Sequence, residues 1–63
     1  MNKLKEIRKG KGLTQDDIVK ASGVCSKGYL SDVENGNIEP SVTKAIAIAK
    51  ALKTTVEKVW GKQ

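Results

Sequence analysis

Residues 13–36 read LTQDDIVKASGVCSKGYLSDVENG, and this stretch decides the fold. Thr14 has the chemistry of a helix N-cap, and Asp17 stands three residues later, close to a capping box with Asp in place of Glu. Asp16 and Asp17 also suit the positive end of a helix dipole. Ile18, Val19 and Ala21 follow, and Gly23 can take the left-handed conformation that ends a helix. Ser26 offers a second cap. The helix it opens sets Tyr29, Leu30 and Val33 on one side at helical spacing, and Gly36 supplies the stop. Two short amphipathic helices joined by a glycine turn follow the helix-turn-helix plan.

Toward the N-terminus, Leu4 and Ile7 lie three apart in a helix whose Lys3, Lys5, Arg8 and Lys9 are expected to face water. Asn2 is its candidate cap, and Gly10-Lys11-Gly12 ends it. Beyond Gly36 comes a loop, Asn35-Gly36-Asn37-Ile38-Glu39-Pro40, in which Asn and Gly supply positive-φ positions and Ile38 is expected to pack inward. Ser41 then caps a fourth helix from Val42 to about Leu52. Its apolar stripe reads Val42, Ala45, Ile46, Ala49 and Leu52, with Ile48 off the stripe and directed at a neighbouring helix or a partner subunit. Thr54 and Glu57 form a capping box for a last helix, whose apolar side is Val56, Val59 and Trp60. Trp60 either closes the core or makes a dimer contact. Gly61-Lys62-Gln63 reads as a ragged tail. The expectation is an all-α fold, a single compact five-helix domain over residues 1–63 with its helix-turn-helix at about 14–36, and without repeats, linker or low-complexity segment.

A chain of 63 residues buries only about 60% of its unfolded surface, which leaves no room for a separate catalytic cleft. Tyr29 and Trp60 are the two aromatics, so the core must be aliphatic, which suits packed helices better than a small sheet. A single Cys allows no internal disulfide and points to the cytoplasm. No apolar run approaches the ~20 residues of a membrane span, and no signal-peptide pattern is present. The absence of histidine argues against zinc sites and imidazole acid–base chemistry, and no metal or cofactor is expected. The formal charge of +5 permits nucleic-acid binding. Its distribution says more. Residues 1–12 hold five basic and one acidic side chain, residues 13–41 two basic and five acidic, and residues 42–63 five basic and one acidic. The middle segment is therefore acidic between basic flanks.

Leu13-Thr14-Gln15, Gly23-Val24, Leu30-Ser31-Asp32-Val33-Glu34-Asn35-Gly36, Pro40-Ser41 and Ala49-Lys50-Ala51-Leu52 resemble, in order and spacing, the phage-repressor (lambda repressor/Cro, or Xre) helix-turn-helix family. The resemblance covers residues 4–60 and implies a lambda-repressor-like DNA-binding domain. In that family the second helix of the pair lies in the DNA major groove, and a Gln at the position of Gln15 contacts a backbone phosphate and braces a side chain of the reading helix. The pattern is broken at three places. Val19 stands where relatives usually carry Ala. Both Cys25 and Ser26 separate Val24 from Lys27 where relatives have one small polar residue. Asn37 and Glu39 occupy a loop in which relatives place Lys or Arg beside the phosphates. If Ser26 keeps the cap, Cys25 is an insertion in the turn; if Cys25 capped instead, Tyr29 and Leu30 would rotate by about 100°. The spacing from Ser26 to Gly36 favours the first arrangement.

With the reading helix at about 27–35, its first residues point most directly into the groove. Lys27 can reach guanine O6/N7 or a phosphate, Asp32 can accept from a cytosine amino group, and Ser31 can meet a base or a phosphate. Gly28 permits close approach or contact with a thymine methyl, and Tyr29 can offer its hydroxyl to a phosphate while its ring packs inward. Thr43 and Lys44 at the start of the fourth helix form a second phosphate site. With Gln15, Ser26 and Asn37 these are the candidate DNA-binding residues. Lys27, Ser31 and Asp32 are expected to project outward while Leu30 and Val33 anchor the helix.

The leading expectation is a sequence-specific double-stranded DNA-binding regulator, a repressor without enzymatic activity. Phosphate contacts would make its affinity salt-dependent, and a homodimer would read a palindromic operator with half-sites about 34 Å apart. The resemblance places the pairing surface in the C-terminal part. A protein-interaction module binding through the acidic middle is the second reading. Enzymatic use of Cys25 is remote without a histidine to activate it, and a redox-sensing thiol beside the interface is the sharper version of that idea.

Overall fold

Hydroxyl side chains start four helices. The computed structural model describes residues 2–61, which form α1 (Leu4–Gly10), α2 (Gln15–Ser22), α3 (Lys27–Glu34), α4 (Val42–Ala51) and α5 (Val56–Trp60). Thr14, Ser26, Ser41 and Thr55 each accept a hydrogen bond from the backbone N–H three residues on, at 3.1, 3.2, 3.4 and 3.2 Å. Helices of five to ten residues are marginal alone, so these caps and tertiary packing hold them. Of the expected tail, Lys62 and Gln63 lie outside the described residues.

α1 starts differently. Its N-cap is Lys3, without a side-chain cap bond. Asn2 nevertheless satisfies one orphan donor: its Oδ1 accepts from Leu4 N–H at 3.1 Å. Its Nδ2 donates to the Val33 carbonyl at 2.8 Å, and Lys3 N–H donates to the Val59 carbonyl at 2.8 Å. The start of α1 is thus fastened to α3 and α5.

Three helices end in the same pair of backbone bonds, the Schellman motif. At α3, Gly36 N–H reaches the Val33 carbonyl at 3.1 Å and Asn37 N–H the Asp32 carbonyl at 2.9 Å, with Gly36 at φ 79°. α1 ends likewise through Gly12 and Leu13, whose N–H groups reach the Lys9 and Arg8 carbonyls, both at 3.0 Å. α4 ends through Lys53 and Thr54, reaching the Lys50 and Ala49 carbonyls, both at 2.9 Å. Lys53 adopts φ 59°, the left-handed conformation that normally favours glycine. This motif absorbs Thr54 and corrects the expected box with Glu57: the cap of α5 falls one residue later, on Thr55.

Leu4, Ile18, Leu30, Val33, Ile48, Leu52 and Val59 form the core and are at most 1% exposed. Every helix contributes to it. Ile7, Leu13, Val19, Ile38 and Trp60 pack against it from the margin. Two sequence expectations are corrected here. Ile48 is fully buried, whereas Val42 is 77% and Ile46 42% exposed, so the inward stripe of α4 is Ala45, Ile48, Ala49 and Leu52. α4 carries apolar residues almost all the way round, so its composition admits either stripe, and the helices it packs against select Ile48 over Ile46. Arg8, expected to face water, is buried. Its Nε donates to Glu34 Oε2 at 2.6 Å and its Nη1 to the Leu13 carbonyl at 2.9 Å. No helix among the described residues is long and apolar enough to cross a membrane.

The α4 stripe is directly testable by urea denaturation. Ile48→Ala is expected to cost about 2–5 kcal/mol, most of the stability of so small a domain, while Val42→Ala is expected to stay within about 0.5 kcal/mol.

Candidate nucleic-acid interface

The start of α2 is closed by a reciprocal box. Thr14 accepts from Asp17 N–H, and the Asp17 carboxylate accepts from Thr14 N–H at 2.8 Å. The Thr14 N–H bond first, then the Thr14 hydroxyl and the charge of Lys20, hold the Asp17 carboxyl below its ordinary value of 3.8. α2 ends at Gly23, which takes φ 69° and donates its N–H to the Val19 carbonyl at 3.0 Å. A side chain in that conformation would be strained, so the glycine allows the chain to reverse here.

Ser26 keeps the capping role, with φ −96° and ψ 169°. Cys25 is accommodated in the turn, half-buried against the core margin, with its Sγ 3.6 Å from the Ser22 hydroxyl. The register downstream therefore survives. Leu30 and Val33 are fully buried, and Lys27 and Gly28 face outward. Ser31 and Asp32 are half-buried, less exposed than the outward projection expected of them. A Cβ built on Gly28 meets nothing within 4 Å, so the first turn of α3 is open there.

Three side-chain contacts join the neighbouring helix starts to α3. Lys27 Nζ lies 3.9 Å from Asp16 Oδ1, both side chains being nearly two-thirds exposed. Such a pair contributes about 0–1 kcal/mol and releases Lys27 at little cost. Lys44 Nζ sits 4.7 Å above the centroid of the Tyr29 ring, a cation–π contact that brings the first turn of α4 to α3. Gln15 Nε2 donates to Glu34 Oε1 at 3.1 Å. The bracing expected of Gln15 therefore exists, and its partner is a carboxylate at the end of α3.

Of the remaining candidates, Ser26 is exposed but its hydroxyl serves the cap. Thr43 is exposed beside Lys44 in the first turn of α4. Asn37 is exposed beyond the end of α3, tied to it through its own N–H. The buried Arg8–Glu34 pair behind Gln15 did not emerge from the sequence. A signal existed: Arg8 lies four residues after Leu4, and Glu34 four after Leu30, so each follows the buried face of its helix.

The helix-turn-helix family model matches residues 4–59. The chain belongs to the Xre-like helix-turn-helix family. It is 37% identical over 59 residues to an uncharacterized HTH-type transcriptional regulator of Methanocaldococcus jannaschii, an alignment covering 94% of this chain and 88% of that protein. The crystal structure of the restriction-modification controller protein C.AhdI from Aeromonas hydrophila matches it with a TM-score of 0.82 at 30% identity, over 89% of this chain and 83% of that one. The expected all-α, lambda-repressor-like architecture is thereby established. This Xre-like protein is a DNA-binding transcriptional regulator, not an enzyme.

The closing box of α2 predicts a pH signature. A depressed carboxyl contributes stability that is fully present above its unfolded pKa and is lost as pH falls through the folded value. Wild type should therefore melt higher than Asp17→Asn near neutral pH. In thermal melts the gap is expected to close as pH falls below about 4.

Proposed function

We propose that the protein is a repressor that reads the major groove of double-stranded DNA with α3, as a homodimer on a palindromic operator. The observation that carries the reading is the start of α3. Lys27 and Gly28 stand exposed directly after the Ser26 cap, on a helix held from beneath by Leu30 and Val33. Lys27 and Gly28 meet base edges, with Ser31 and Asp32 one turn further on. Gln15, Tyr29, Thr43 and Lys44 contact phosphates on either side, Ser26 keeps the helix start close to the backbone, and Asn37 marks the far limit of the interface. The whole chain acts as one unit in the cytoplasm. Relatives that are a transcriptional regulator and a restriction-modification controller support control of transcription.

Pairing uses the opposite property of α4. Val42 and Ile46 are exposed, and with Pro40, Ala45, Val56 and Trp60 they line an open apolar groove of about 400 Å³. Trp60 packs on the core margin and also lines this groove. A second copy covering the groove would make a two-fold dimer, and helix-turn-helix dimers read half-sites one turn of DNA, ~34 Å, apart. The competing interaction-module reading draws on the acidic residues around α3. It predicts no salt-sensitive retention on random duplex DNA, whereas a DNA reader is retained.

Two measurements follow from this assignment. In a gel-shift titration against a duplex selected from a random pool, Lys27→Ala should weaken binding about tenfold and leave the thermal melt unchanged; equal affinity would remove Lys27 from the interface. In sedimentation velocity, Ile46→Glu should convert a dimer to a monomer of unchanged helicity. A wild-type monomer at every concentration would refute the pairing surface.

A further inference from the structure

The buried pair beneath α3 does more than join two helices. Arg8 and Glu34 side chains are 10% and 3% exposed, with Arg8 Nε 2.6 Å from Glu34 Oε2. Arg8 Nη2 also approaches Glu34 Oε1 at 3.5 Å, and the same Oε1 accepts the Gln15 Nε2 bond at 3.1 Å. Gln15 is only half-buried. We propose that Glu34 is a positioning residue for DNA binding: fixed by Arg8, it orients the Gln15 carboxamide so that the remaining Nε2 N–H is ready for a phosphate oxygen. The proposal rests on the assignment of Gln15 to the phosphate contacts and adds the residues that place it.

The chemistry sets the orientation. A carboxylate paired with a guanidinium accepts hydrogen bonds and donates none, so only the nitrogen of the Gln15 amide can face it. A free glutamine side chain turns its amide either way and samples many rotamers, all of which must be given up on binding. A glutamine already held by one N–H has lost that freedom before DNA arrives, and preorganisation of this kind appears as affinity. Neither Arg8 nor Glu34 needs to touch the duplex. Their effect runs through one neutral side chain, which separates it from the contribution of the lysines.

The test replaces the pair as a unit. Arg8→Met with Glu34→Met keeps the net charge and exchanges a buried ion pair for apolar groups of similar volume, a change that commonly preserves or raises stability. On a short random-sequence duplex, this pair variant should lose about fivefold in affinity, the size expected for one neutral hydrogen bond. Its slope of affinity against salt should match wild type, because no phosphate-neutralising charge has changed. Gln15→Ala should lose at least as much alone, and adding the pair change to Gln15→Ala should cost nothing more. A purely structural pair would leave affinity unchanged or make the two losses multiply, and either result overturns the proposal while wild-type binding leaves the regulator reading intact. Wild type failing to bind duplex DNA would remove both. A measurement on wild type alone covers the case in which the pair variant does not fold. By NMR, one Gln15 Nε2 proton should exchange with water more slowly than the side-chain amide protons of exposed Asn37; equal exchange at the two sites would end the proposal.

Discussion

A guanidinium and a carboxylate, both almost stripped of water, join the first helix to the third. The rest of the molecule is arranged so that neither is left alone. Arg8 also donates to the Leu13 carbonyl and approaches the second oxygen of Glu34, and that oxygen also accepts from Gln15. Through these groups the cluster touches α1, the connection after it, α2 and α3. Losing one partner of such a pair typically costs about 3–5 kcal/mol, because the other charge stays buried without compensation. A domain this small has a net stability of only a few kcal/mol. The pair therefore behaves as an all-or-none condition on the fold, and the aliphatic core must offset its desolvation.

That core is small because the helices are short, and short helices depend on their ends. Hydroxyl caps at the starts and Schellman closures at three of the ends satisfy backbone groups that would otherwise face water or remain unpaired. The same groups fix where each helix begins. The start of α3 matters most, since a shift of one residue at Ser26 would turn Leu30 out of the core and carry Lys27 away from the exposed side.

Much of this was legible in the sequence, and the reason is locality. Thr14, Gly23, Ser26, Gly36 and Ser41 act through bonds to neighbours within a few residues, so their roles can be read without the fold. Cys25 yielded to the same reasoning, because the cap at Ser26 and the buried pair Leu30 and Val33 agree on one register. Lys27 and Gly28 were legible as the exposed start of α3 for that reason too. What escaped was set by tertiary context. Lys53 occupies a left-handed position that glycine usually marks, and so it hid the closure of α4 and misdirected the cap of α5. Alanines around α4 gave no contrast between its faces, so the choice of Ile48 over Ile46 depended on what the helix meets. Arg8 looked like one more solvated cation in a basic segment. Its partner lies 26 residues away, beyond the reach of local pattern.

The open first turn of α3 has a consequence for how such a protein can change. Gly28 is a poor helix former in the first turn of α3, yet no neighbouring atom demands its small size. Buried positions in this molecule are interlocked, and altering one disturbs several. Position 28 is decoupled from them. Side chains of different length and polarity can be installed there while caps, core and ion pair stay as they are. The scaffold thus leaves one vacant seat at the exposed start of α3, which a single codon can fill without refolding the rest.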